Sequence, residues 1–223
     1  MNRPIAIAID GPAAAGKSTV ARRLAAELGF LYVDTGALYR AVGYCARLRG
    51  VDPGDAAGVE KLLPDIHIAI KYVGGVQRIL LGGKDVSEEI RLPEMSMAAS
   101  KVSAIPAVRA FLLELQRDFA QTESVVMDGR DIGTVVLPDA AVKFFLTASP
   151  EERAKRRMLE FAQKGREVDY NALLTEIRER DYNDSHRAIA PLVQAPDAVR
   201  IDNTAMTLEE TVAAMKHRVE GKL

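Results

Sequence analysis

The sequence predicts an α/β domain in which parallel strands are covered by helices, and three observations carry that expectation. The apolar, β-branched run Ile5-Ala6-Ile7-Ala8-Ile9 ends at Asp10-Gly11 and leads into a glycine loop and a helical pattern. A run without polar alternation is the mark of a strand buried on both faces, as in a parallel sheet. A second strand at Phe30 to Val33 then opens into Asp34-Thr35-Gly36 and a helix through about Leu48, the alternation typical of α/β folds. From about Asp65 to Glu89 the rhythm changes: Ile66, Ile68, Ile70 and Tyr72 alternate with polar or small residues before Gly74-Gly75 and Val76 to Leu81, a hairpin inserted into the parallel core.

The first helix is expected over Lys17 to Leu28, with Val20, Leu24 and Leu28 on one face and Gly29 as its stop. After the hairpin, which reads as a separate lobe and a substrate lid, a helix is expected at about Pro93 to Ala104 and another from Pro106 to Ala120. Further buried strands fit Ser124 to Met127, Val142 to Leu146 and Val199 to Ile201. Helices fit Pro150 to Lys164, Asp169 to about His186 and Leu208 to Glu220. Pro106 and Pro150 suit first helical positions, and Ser149 with Glu152 and Thr207 with Glu210 read as capping boxes.

At 223 residues the chain suits one full core with a small insertion. Thirty basic against thirty-one acidic side chains leave a net charge of -1, so no overall field draws the protein to nucleic acid or to an anionic membrane. Any anion site must be local. Apolar runs fall far short of the roughly 20 residues that span a bilayer, and Met1-Asn2-Arg3-Pro4 leads straight into a strand, so a cytoplasmic protein without a signal peptide is expected. A monomer is expected, since nothing resembles a coiled-coil seam. Cys45 reads as a small packed side chain.

The segment Gly11-Pro12-Ala13-Ala14-Ala15-Gly16-Lys17-Ser18-Thr19 carries the pattern G-x-x-x-x-G-K-[ST] between a buried strand and a helix. Its backbone N–H groups and the helix N-terminus suit phosphate oxygens, Lys17 suits the β- and γ-phosphates of a nucleoside triphosphate, and the Ser18 hydroxyl suits Mg²⁺. Asp128, ending a second buried strand, is placed to orient the metal's waters. A P-loop phosphotransferase follows.

Arginines on candidate loops and helix ends point to a second anion as acceptor. Arg40 ends Asp34-Thr35-Gly36-Ala37-Leu38-Tyr39-Arg40, and Arg130 lies at the strand end between Asp128-Gly129 and Asp131, followed by a glycine turn at Ile132-Gly133, where open α/β sheets bind ligands. Arg153, Arg156 and Arg157 share one helix, and Arg180 and Arg187 the next. Taken singly, Arg153 and Arg156 read first as residues of a solvated helix face.

The segments GPAAAGKST, DTGALYRA, VVMDGRDIGTVVLPDA, SPEERAKRRM and ERDYNDSHRAIAPL, in this order and spacing, resemble bacterial-type cytidylate kinases over nearly the whole chain. The resemblance implies a three-layer P-loop NTPase fold: a five-stranded parallel sheet, an inserted nucleotide-binding lobe containing a small antiparallel sheet, and a helical lid. It places the core at about 1–34, 106–150 and 188–223, the lobe at 35–105 and the lid at 151–187. It implies transfer of the γ-phosphoryl group of MgATP to CMP or dCMP. Arg40, Arg130 and Arg180 would hold the acceptor phosphate with Thr35, where some relatives are expected to carry Ser; Asp184 and Arg187 would meet the sugar. Ser100, Arg109 and Asp131 would read the base. That chemistry is sensible: a carboxylate accepts from the amino group of cytosine while a guanidinium donates to N3 and O2, and uracil reverses the first two. Arg153 and Arg157 are the lid candidates, with a hinge at Lys164-Gly165-Arg166.

No general base is required, because a phosphate monoester is mostly dianionic near neutral pH; His67, His186 and His217 accordingly fall outside the motifs. Two other readings stay open from residues alone: a kinase for UMP, AMP or shikimate, and a regulator that binds nucleotide without transfer. The D-G-F-P-R pattern associated with adenylate kinases is missing, and intact Lys17, Arg130 and Asp131 speak against the regulator.

Overall fold

A computed structural model describes residues 4–163 and 165–222. Five strands form a parallel sheet: β1 (Ala6–Asp10), β2 (Leu31–Asp34), β6 (Val125–Gly129), β7 (Val142–Thr147) and β8 (Val199–Asp202), in the order β2-β6-β1-β7-β8. The chain leaves β1 toward β2 on one side, whereas β6 and β7 send it to the other. Loops at the carboxyl ends of these strands therefore splay apart and leave a crevice.

Between β1 and β2 runs α1 (Lys17–Leu28), bracketed by Gly16 and Gly29, both in the left-handed region at φ 83 and 69. A side chain there would be strained, which is why glycine starts and stops this helix. Its apolar face, with Val20 and Leu24, packs with Ile7 and Ile9 and with Val212 and Met215 of α8 (Leu208–Glu220). Burying each such Ile contributes about 1.5–3 kcal/mol. The opposite face of the sheet buries Ala8, Val33 and Met127 under Ile132 and Val136.

A separate apolar cluster builds the insertion. It unites α2 (Thr35–Leu48), α3 (Ala56–Leu62), the antiparallel strands β3 (Ile68–Val73) and β4 (Val76–Leu81), α4 (Glu94–Ser103) and the start of α5 (Pro106–Thr122), with the exposed β5 (Lys84–Asp85) completing the antiparallel sheet. At the crossing of α2 and α4, a Cβ on Gly43 would stand 2.9 Å from that of Ala98, so glycine permits the close approach. Cys45 is packed inside this cluster, as expected. The remaining helices, α6 (Pro150–Gln163) and α7 (Tyr170–His186), lie side by side after β7.

The sequence-based elements are present with shifts of one or two residues, and four differ in kind. Strand β5 and helix α3 were not expected; α3 is short and buries Val59 alone. Ile132 to Val136 form a single π-helical turn instead of a simple glycine turn. At Ser149 the capping box is half made: Ser149 Oγ accepts the Glu152 N–H at 3.2 Å, while the Glu152 carboxylate turns to Arg156 Nε, 3.2 Å away. Thr207 and Glu210 form both bonds of theirs. The expected hinge falls partly on Lys164, outside the described residues; Gly165 has φ 69. Among the described residues no single helix is long and apolar enough to cross a membrane.

Candidate active site

The glycine loop leaves β1 with Gly11 at φ 150, where a Cβ would lie 1.9 Å from the Leu146 carbonyl oxygen. Only a residue without a side chain lets the loop pass β7 this closely. Lys17 is buried at the start of α1, and its ammonium donates to the Pro12 carbonyl at 2.7 Å. Burial first, then the neighbouring Arg130, holds its pKa well below the ordinary lysine value. Asp128, at the end of β6, accepts Ser18 Oγ and the Tyr32 hydroxyl, each at 2.9 Å. Burial and then the charge of Asp34 push the Asp128 carboxyl up to about 6.

Asp10 supports the site from behind, and motif reading passed it over. Its oxygens accept the backbone N–H groups of Ile132 and Gly133, both at 2.7 Å, and so fasten β1 to the turn that carries Asp131. Burial, partly offset by those two bonds, raises its carboxyl to about 6. A partner 122 positions away leaves no local signal in the sequence.

A cavity of ≈ 190 Å³ opens between the loop, β6, α2, α4 and α7, and it gathers the residues expected at the acceptor. Lys17, Arg40, Arg130, Arg180 and Thr35 line it on the phosphate-loop side, with Ser100, Arg109, Asp131, Asp184 and Arg187 around the rest. Arg40 pairs with Asp34 at 2.7 Å; Asp34 also caps α2 by accepting the Ala37 N–H at 3.0 Å. Arg130 donates to Asp184 at 2.8 Å. Burial raises and the Arg130 and Arg180 guanidinium groups lower the Asp184 pKa, and the arginines prevail. Arg180 bonds the Ser96 hydroxyl of α4, and burial with the adjacent Arg130 pulls its pKa down to about 10. The Nε atoms of Arg40 and Arg180 are buried without a hydrogen-bond partner. Thr35 lines the cavity, but its hydroxyl donates to the Asp128 carbonyl at 2.8 Å.

Deeper in, Arg109 and Asp131 are buried against each other, and Arg187 approaches the second Asp131 oxygen at 3.4 Å. Tyr39 offers its ring face to Arg109, 5.6 Å from centroid to guanidinium carbon. Burial outweighs Arg109, Arg187 and Arg130 and raises the Asp131 pKa. Ser100 contributes its carbonyl to the Ser103 hydroxyl at 2.9 Å, and Ser103 Oγ in turn accepts from Arg187 at 3.3 Å. Ser103 and Tyr39 join the site as residues that sequence reading did not select.

Arg153 departs from expectation. It is neither solvated nor a lining group of the cavity: at 2 % exposure it bonds the carbonyls of Ala148 (2.9 Å) and Ala13 (3.0 Å) and, with two nitrogens, the carboxylate of Asp181. It is a clamp between the glycine loop, α6 and α7. Arg157, by contrast, pairs with Glu176 at 2.9 Å and faces a wider cleft of ≈ 600 Å³ shared with Arg40 and Arg180. On the other side of the loop, a groove of ≈ 440 Å³ is lined by Gly16, Thr19, Arg156, Asn203 and Met206. Arg156 is fixed there by Asn203, whose amide also donates to the Ala15 carbonyl at 3.2 Å. The three histidines stay outside all of these spaces, His67, His186 and His217 being exposed.

Comparison with known proteins identifies the family. The family model described as cytidylate kinase matches residues 7–220. The chain is 52% identical over 210 residues to a cytidylate kinase of Caldicellulosiruptor saccharolyticus, covering 94% of this chain and 93% of that one. It is 47% identical over 222 residues to one of Lactobacillus johnsonii, covering 100% and 96%. Among solved structures, an uncharacterized protein from Eubacterium ventriosum shares the fold, with a TM-score of 0.51 at 14% identity over 97% of this chain and 98% of that one. A match at this identity, running from the first buried strand to the last helix, shows that the chain belongs to the cytidylate kinase family.

Proposed function

We propose that the chain transfers the γ-phosphoryl group of ATP to CMP or dCMP, giving ADP and CDP or dCDP. The observation that carries this is the convergence of Lys17, Arg40, Arg130 and Arg180 on one cavity, with the Nε atoms of Arg40 and Arg180 buried and without a hydrogen-bond partner. Such crowding of positive charge is offset when phosphate oxygens accept from those donors.

In this reading the loop Gly11 to Ser18 grips the donor phosphates, and the groove with Thr19, Arg156 and Asn203 takes the donor nucleoside. Arg40, Arg130 and Arg180 hold the acceptor phosphate, Thr35 borders it, and Asp184 with Arg187 meets the sugar. Ser100, Arg109 and Asp131 read cytosine, because a carboxylate beside a guanidinium presents an acceptor next to donors. Each bond reversed by uracil costs roughly 1–3 kcal/mol. Catalysis then rests on in-line positioning and neutralisation of the transferring group by Lys17 and the arginines, with Arg157 the lid candidate that remains. The segments 35–105 and 151–187 act as acceptor lobe and lid around the core, in a monomer of the cytoplasm.

The donor set suits Mg²⁺. The Ser18 hydroxyl and the Asp128 carboxylate, 2.9 Å apart, are hard oxygen groups beside the loop, and Mg²⁺ takes one or two such protein groups together with substrate phosphates and waters. When bound, the metal neutralises and orients the donor phosphates. The chain's own part is to hold Ser18 through Asp128, itself fixed by Tyr32.

The test is a coupled ADP-release assay with CMP, dCMP, UMP and AMP side by side. Turnover of CMP above UMP and AMP is expected. Faster turnover of UMP or AMP refutes the base-reading trio, and no turnover with any acceptor favours nucleotide binding without transfer.

A further inference from the structure

The antiparallel sheet of the insertion meets the parallel sheet through side chains instead of a strand ladder. Strand β2 lies at the edge of the parallel sheet. Leu31 directs its N–H toward the β6 side, to the Ser124 carbonyl at 2.9 Å, and alternation then turns the backbone groups of Tyr32 and Asp34 to the free edge. Buried backbone groups need partners, and an uncovered edge invites unwanted pairing.

Two residues supply partners for three of those four groups. Tyr72 of β3 and Gln77 of β4 stand directly opposite each other in the hairpin. The Tyr72 hydroxyl donates to the Tyr32 carbonyl at 2.9 Å. The Gln77 amide accepts the Asp34 N–H at 2.7 Å and donates to the Asp34 carbonyl at 3.2 Å, the two bonds a neighbouring strand would make with that residue. Gln77 is buried. Asp34 is no ordinary edge residue, since its carboxylate both caps α2 and holds Arg40.

We propose that Gln77 is a positioning residue for the acceptor phosphate: its amide, supported by Tyr72, fixes the end of β2, and Asp34 in turn aims Arg40. This rests on the reading that Arg40 faces the acceptor phosphate. A device that merely covers the edge lowers stability when removed and favours neither substrate. A device that aims Arg40 acts on the acceptor alone, because the groove assigned to the donor nucleoside lies across the glycine loop and shares no residue with the hairpin.

The test is steady-state kinetics with CMP and ATP varied in turn, on the full chain. Gln77→Leu removes two hydrogen bonds and is expected to raise KM for CMP about tenfold, with KM for ATP within about twofold of the parent. Gln77→Glu keeps an acceptor toward the Asp34 N–H but sets a carboxylate oxygen against the Asp34 carbonyl, so a rise in KM for CMP at least as large is expected, again with KM for ATP little changed. If Gln77→Leu fails to fold, Gln77→Glu and Tyr72→Phe, which deletes a single hydroxyl on the same edge, decide the matter through the same CMP-to-ATP split. Combined with Arg40→Lys, Gln77→Leu is expected to give less than the product of the single effects. Equal rises for CMP and ATP, or multiplicative effects in the double variant, overturn the proposal. An Arg40→Lys enzyme with unchanged KM for CMP refutes the acceptor reading and this route with it; a raised KM there with none in Gln77→Leu refutes the positioning role alone.

Discussion

In the proposed reading, replacing Arg109 by Met separates base recognition from the scaffold around it. Arg109 is buried, bonds Asp131 and the Ser103 carbonyl, and rests on the Tyr39 ring. Met keeps much of the apolar stem but strips the charge from beside a carboxylate of 4 % exposure. Removing one member of a buried pair costs about 3–5 kcal/mol when the other is left alone. Here Arg187 remains at 3.4 Å from Asp131, so the lower end, about 3 kcal/mol, is expected. For a chain of this size that is a fall in Tm of about 6–12 °C. Loss of the base contacts adds about 1–3 kcal/mol against CMP, or about 5- to 150-fold in Kd. Titration calorimetry with CMP and with an ATP analogue, beside thermal unfolding, reads both terms. The double variant Arg109→Met with Asp131→Asn is expected to regain part of the lost Tm, because the orphaned carboxylate goes with its partner, while CMP affinity stays low. Equal loss of CMP and ATP affinity, or a double variant whose Tm loss equals the sum of the singles, refutes the reasoning.

Arg153→Met is expected to lower Tm and to raise KM for ATP more than for CMP, since its bond to the Ala13 carbonyl steadies the glycine loop; kinetics in which CMP suffers more would restore Arg153 to the lid. Asp10 binds its proton more tightly folded than unfolded, about 6 against 3.8, so its contribution to stability is fully present below about pH 4 and fades as pH rises through 6. That is about 3 kcal/mol in full, and Asp10→Asn is expected to flatten the stability profile by about 2–2.5 kcal/mol of it between pH 4 and 7 in urea unfolding; parallel profiles would contradict it. Ser18→Ala is expected to raise the Mg²⁺ concentration at half-maximal rate several-fold with little change in KM for CMP, and an unaltered metal requirement argues against the Ser18 hydroxyl as a ligand.

Locally encoded features were legible from residues alone. Gly16 and Gly29 bound α1 because their left-handed backbone is a property of single positions. The hairpin was visible because alternation and a glycine pair sit within a few residues of each other. The acceptor cavity was reached only through motifs whose members lie far apart, and the resemblance, not spacing, brought Arg109 beside Asp131. Partnerships set by tertiary packing stayed hidden. Asp10 with Ile132, Gln77 with Asp34 and Asn203 with Ala15 join positions 122, 43 and 188 apart. Arg153 was misread for the same reason: on a helix rich in Glu and Arg it resembles a solvated charge, and only packing against Asp181 and the loop reveals it as buried.

Helix α7 touches both halves of the site. Arg180 and Asp184, with Arg187 just past its end, reach Ser96, Arg130 and Asp131, while Asp181, one position on from Arg180, grips Arg153 and through it the carbonyl of Ala13. A small roll of this one rod about its long axis would displace the acceptor wall and tug the donor loop in the same stroke. α7 is thus a strut shared by both walls, so a substitution that displaces it is expected to disturb the glycine loop and the arginine-lined cavity together.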